Sequence, residues 1–84
     1  MKSARTRIEL LREFDDAPPN TLFDQVTTAA VRNCSPKSLE RDRWLGGGIP
    51  YRKIGRAVRY CKRDILDWLE KFETVNSSSQ VRVG

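Results

Sequence analysis

Nine cationic side chains fall between Ser35 and Arg63: Lys37, Arg41, Arg43, Arg52, Lys53, Arg56, Arg59, Lys62 and Arg63. Only Glu40 and Asp42 oppose them, so this stretch carries +7 while the other 55 residues together carry −2, within a chain total of +5. A solvated surface intersperses both signs. Positive charge gathered in one stretch instead binds a polyanion through ion pairing and counterion release. Other chemistries find little support. Histidine is absent, which removes the commonest general base and the commonest neutral metal ligand. Cys34 and Cys61 stand far apart with no C-x-x-C spacing, so neither a zinc site nor a disulfide framework is signalled. Gly46-Gly47-Gly48 lacks a following Lys-Ser/Thr and a preceding strand, and does not read as a phosphate-cradling loop. No catalytic residue, metal or cofactor is expected.

The elements that must hold these charges follow from local signals. A length of 84 residues suits one domain with a small core. Residues 1–20 read as an N-terminal arm, a short amphipathic helix over Ile8–Phe14 followed by a linker of breakers, Asp15-Asp16-Ala17-Pro18-Pro19-Asn20. Residues 21–73 hold both Trp, both Tyr and the periodic segments, and should contain the core. Residues 74–84 are polar and Ser-rich and are expected to form a flexible tail. No apolar run approaches the roughly 18–20 residues of a membrane span, and Met1-Lys2-Ser3-Ala4-Arg5 is not followed by an apolar signal region. These features predict a soluble, reduced, cytoplasmic protein with no membrane partner.

Asp24 can cap a helix over Gln25–Arg32, and Asn33 tolerates the left-handed conformation that ends one. Ser35-Pro36 then supplies a capping serine and a proline at the first helical position, opening a second helix from about Pro36 to Leu45 that stops at the three glycines. Two helices so closely joined are spaced as a helix-turn-helix, whose second helix enters the major groove. On that helix Lys37 and Arg41 are four residues apart and share a face with Ser38 beside them, while Leu39 points to the core. Arg41 can bind guanine O6 and N7, and Lys37 and Ser38 can each take a base or a phosphate. Arg43 lies nearer the core side by helical angle, where its aliphatic stem can lie along apolar surface. Glu40 and Asp42 either accept from a base edge or orient Arg41 and Arg43. Trp44 and Trp68 are expected to pack rather than to stack on bases.

Tyr51–Ile54 and Arg56–Tyr60 alternate in type across Gly55, predicting a β-hairpin. Its basic residues Arg52, Lys53, Arg56 and Arg59 would form the wing of a winged helix, with Arg56 at the tip best placed for the minor groove and Gly55 making the turn. Ile65, Trp68, Leu69 and Phe72 form one helical stripe over Lys62–Phe72. That last helix should cover a core of Val26, Ala30, Leu39, Ile54 and Val58.

Taken together, Phe23-Asp24, Ala29-Ala30, Ser35-Pro36-Lys37-Ser38-Leu39, Gly46-Gly47-Gly48-Ile49-Pro50-Tyr51, Ile54-Gly55-Arg56-Ala57-Val58-Arg59-Tyr60 and Asp64-Ile65-Leu66-Asp67-Trp68-Leu69 resemble the small winged helix-turn-helix proteins of the excisionase and AlpA type, relatives of the MerR DNA-binding domain. The resemblance covers about residues 22–72. It implies a mostly α fold with a small β-hairpin, and a recognition helix carrying Ser35, Lys37, Ser38, Arg41 and Arg43. The wing would carry Arg52, Lys53, Gly55, Arg56 and Arg59. It further implies a bacterial, nucleoid-associated protein that binds double-stranded DNA without catalysing a reaction. Such a protein is a recombination directionality factor working with an integrase, or alternatively a transcriptional regulator. One small domain contacts little DNA, so self-association along it, with head-to-tail contacts between neighbours, is expected. A protein-interaction module that keeps this fold is the remaining alternative. The sequence departs from the family where Arg32 and Asp42 replace apolar or aromatic residues, and where Cys61-Lys62-Arg63 replaces a basic-basic-serine helix cap.

Overall fold

The structure, a computed structural model, describes residues 5–72 and Thr74. Helix α1 spans Arg7–Asp16 and opens with a reciprocal cap. The Thr6 hydroxyl accepts from the Glu9 amide at 3.2 Å, and the Glu9 carboxylate accepts from the Thr6 amide at 2.8 Å, satisfying two amides that a helix start leaves unpaired. A two-residue strand β1, Leu22–Phe23, leads into α2, Gln25–Arg32. Asp24 caps α2 by accepting from the Thr27 amide at 3.0 Å, and Asn33 ends it with φ 64°. Helix α3, Pro36–Leu45, starts on the Ser35 cap with proline in its first turn and ends on Gly46 at φ 86°. Strands β2, Arg52–Ile54, and β3, Ala57–Cys61, precede α4, Lys62–Leu69. The described residues are thus mostly helical, with four helices and a small antiparallel sheet of order β1-β3-β2.

The core is built around Phe14, Ala29, Leu39, Ile49, Tyr60 and Ile65. Helix α2 packs against α1, α3 and β3, which explains its small residues. Thr27, Thr28 and Ala29 are all buried, and the Thr28 hydroxyl is satisfied by donating to the Asp24 carbonyl at 2.8 Å. The expected core needs correction at its edges. Leu39 is buried and Ala30 and Val58 are half-buried, but Val26 and Ile54 are exposed. Trp44, expected to pack, is exposed as well. Helix α4 is shorter than its apolar stripe. After Leu69 the backbone tightens, the Lys71 and Phe72 amides donating three residues back to Trp68 and Leu69. Phe72 is therefore left outside, its ring edge-on to Trp68 at 4.7 Å. The predicted tail lies, apart from Thr74, outside the described residues.

The core also reaches beyond residues 21–73, because α1 buries Leu10 and Phe14. Phe14 meets Phe23 at 5.2 Å between ring centroids, and the linker after α1 is sewn to the start of α4. Lys62 Nζ donates to the Asp15 and Ala17 carbonyls at 3.0 and 2.7 Å, and Arg63 bonds the Asn20 side chain. The Lys62 and Arg63 amides donate to the Thr21 and Pro19 carbonyls. Cys61, at the cap position of α4, makes no side-chain cap bond, so linker carbonyls take two of the amides that a capping serine would otherwise help to satisfy. No helix among the described residues is long and apolar enough to cross a membrane.

Candidate nucleic-acid interface

The nine cations of residues 35–63 divide by what they touch. Three are bonded within the fold. Arg43 donates from Nη1 to the Tyr60 hydroxyl at 2.6 Å and from Nη2 to Gln25 Oε1 at 3.3 Å, and its guanidinium lies 5.6 Å from the Tyr51 ring centroid. It ties α3 to β3 and to the start of α2. Lys62 and Arg63 hold the linker as described. The remaining six are Lys37, Arg41, Arg52, Lys53, Arg56 and Arg59, and none of them forms an ion pair among the described residues, where the only pairs are Arg5–Glu13 and Arg32–Asp42.

On α3, Lys37 and Arg41 are exposed on the side opposite Leu39. Together with Ser35 and Ser38 they line an open depression of about 300 Å3. Ser35 is first a cap, its Oγ accepting from the Ser38 amide at 3.3 Å and lying 3.2 Å from Ser38 Oγ. The acids on this helix are both engaged. Glu40 accepts from Gln25 Nε2 at 2.8 Å, and Asp42 pairs with Arg32 at 2.6 Å, half-buried. Arg32 also sits 4.7 Å from the Trp68 ring centroid. Neither acid forms the expected salt bridge with Arg41 or Arg43 among the described residues; Glu40 reaches Arg43 only through the Gln25 side chain.

In the hairpin, Arg52 faces Arg59 directly across the strands. Like charges in that register cost stability, so the sheet tolerates a concentration of charge here. Arg59 Nη1 donates only to the neighbouring Val58 carbonyl at 2.9 Å. Gly55 has φ 63°, and since Asn33 is the one non-glycine residue described with positive φ, Gly55-Arg56 has the signs of a type II′ hairpin turn. Arg56 therefore stands at the tip, exposed beside Lys53. A second open depression of about 370 Å3 runs between α3 and this hairpin, lined by Gln25, Glu40 and Arg43 on one side and Arg56 and Arg59 on the other. Of the expected contact residues this groove gathers Arg43, Arg56 and Arg59, whereas Ser35, Lys37, Ser38 and Arg41 line the separate depression on α3.

The glycine loop has a steric role. Gly48 has φ 86°, and a Cβ there would lie 2.8 Å from Asp42 Cβ, displacing the Arg32–Asp42 pair. Among the described residues no group of three or more His, Cys, Asp or Glu could hold a metal ion. Sequence reasoning missed Gln25, which binds both Glu40 and Arg43, and the Tyr60 hydroxyl. These partners come from elements distant along the chain, and no local spacing signals them. The chain matches no family model and no curated protein sequence.

Proposed function

We propose that this chain is a winged helix-turn-helix protein that binds double-stranded DNA with sequence preference. Helix α3 lies in the major groove, and the β2–β3 hairpin serves as a wing reaching the adjacent minor groove. The observation that carries this reading is the sorting of the cations. Arg43, Lys62 and Arg63 are bonded to other elements of the fold, and the other six lie on α3 and the hairpin without an acidic partner among the described residues. In this reading Arg41 reads guanine, Lys37 and Ser38 take a base or a phosphate, and Arg56 enters the minor groove. Arg52, Lys53 and Arg59 meet phosphates, and Arg43 acts as an internal anchor.

Within that class we assign the chain to the excisionase type on the strength of its motif resemblance. It would bind cooperatively beside an attachment site and favour integrase-mediated excision without itself cutting DNA. Autoregulation in the AlpA manner would use the same contacts. A protein-interaction module is the second reading; in it Glu40, exposed and accepting from Gln25, would belong to the partner surface, whereas Asp42 is paired with Arg32.

The test is a gel-shift titration of the chain onto its own upstream region and the adjacent element end, with a scrambled duplex as control. Stepwise shifts confined to the native duplexes are expected, and an excision assay with the neighbouring integrase then separates the directionality factor from the regulator. Equal affinity for the scrambled duplex at physiological salt would overturn the reading.

A further inference from the structure

Trp44 is 86% exposed and Leu45 69% exposed, an unusual expense of apolar surface on a small domain. Their position gives the exposure a meaning. At 100° per residue, Trp44 falls within about 20° of Lys37 and 60° of Arg41, and Leu45 lies on the far side of Arg41. The four residues make one solvent-facing stripe, opposite buried Leu39. From Lys37 to Trp44 the stripe advances about 10 Å at 1.5 Å per residue, close to three base-pair steps of about 3.4 Å. The cations that line its first half call for a polyanion, so what meets Lys37 and Arg41 also meets Trp44.

We infer that Trp44, flanked by Leu45, is the apolar end of the DNA-reading stripe of α3 and packs on thymine C5-methyl groups in the major groove. This inference rests on the DNA-binding reading above and deepens it. Of the four bases only thymine presents a methyl in that groove, and apolar side chains recognise it by contact. Lys37 and Arg41 supply polar contacts at one end of the stripe and Trp44 an apolar one at the other. The site should therefore join a guanine to thymines a step or two away.

The experiment uses the full chain and the duplex it enriches best from a random pool, with each thymine replaced in turn by deoxyuridine, which deletes only the methyl. Native binding is expected to weaken about fourfold at one or two positions, the value of one buried methyl group. Trp44→Ala should bind that duplex less tightly and be indifferent to the same deoxyuridines, and Trp44→Phe should recover most of the sensitivity. A native chain indifferent to every deoxyuridine, or a Trp44→Ala variant that keeps the native penalties, overturns the inference. A Trp44→Ala variant that binds all duplexes as the native chain does also overturns it, and assigns the patch to a protein partner. Failure of the native chain to bind any duplex is a different outcome, overturning the DNA-binding reading itself. Because Trp44 is so exposed, both variants should melt as the native chain does by circular dichroism.

Discussion

The two sides of α3 use identical residue types for opposite ends. Toward the core, Arg43 is bonded to Tyr60 and Gln25, and Asp42 to Arg32. Toward solvent, Lys37 and Arg41 have no ion-pair partner among the described residues. The difference teaches that a count of basic residues overstates a binding surface. Of nine cations in the stretch, six remain for a ligand, and the other three cross-brace the domain.

The largest expected effect comes from breaking the inward side. Arg43→Ala removes two hydrogen bonds donated by a charged group and strands the Tyr60 hydroxyl, at a cost of about 1.5–3 kcal/mol. For a domain of this size each kcal/mol lowers the melting temperature by roughly 4–8 °C. Thermal melting should show the loss, while the salt dependence of DNA binding by the folded variant stays unchanged. An unchanged melting temperature with a shallower salt dependence would make Arg43 a phosphate contact and dissolve the contrast.

Arg41→Ala should do the reverse. A two-pronged arginine on guanine contributes about 1–3 kcal/mol of discrimination, so affinity for the preferred duplex should fall about five- to 150-fold. Affinity for a scrambled duplex should change far less. Stability should stay within about 0.5 kcal/mol, as for a surface substitution that removes no packing, cap or buried bond. If melting falls and specificity survives, Arg41 belongs to the inward class.

The elements were legible where the signal is local. Asp24, Asn33, Ser35-Pro36 and Gly46 act within a turn of the residues they cap, and Gly55 sets its own hairpin, so these boundaries could be read from neighbours in the chain. Pairings across the fold could not. Strand β1 is two residues long and exists because Leu22 and Phe23 pair with Cys61 and Tyr60. Lys62 holds α1 from more than forty positions away. Asp42 looked like a misfit in an apolar position and is matched by an equally misfitting Arg32, each explaining the other once α2 and α3 are packed. On the candidate site, helical angle alone was enough to set Lys37 and Arg41 outward, whereas the duties of Gln25 and the exposure of Trp44 needed the packing.

The smallest effect is the most discriminating between the two classes of cation. If each of the six unpaired cations displaces about one counterion on binding, whether it ends on a phosphate or in a groove, log affinity should fall with log salt at a slope near −5, from about −0.9 per neutralised charge. Arg56→Met and Lys62→Met both remove one positive charge and keep an apolar stem. Arg56 stands at the hairpin tip, so its loss should make the slope shallower by about 0.9. Lys62 spends its charge on the Asp15 and Ala17 carbonyls and lies 5.2 Å from the Phe14 ring centroid, so its loss should leave the slope in place and lower thermal stability instead. Equal changes in slope would mean that DNA senses only net charge, whereas unequal ones tie each charge's contribution to the bonds its side chain already makes.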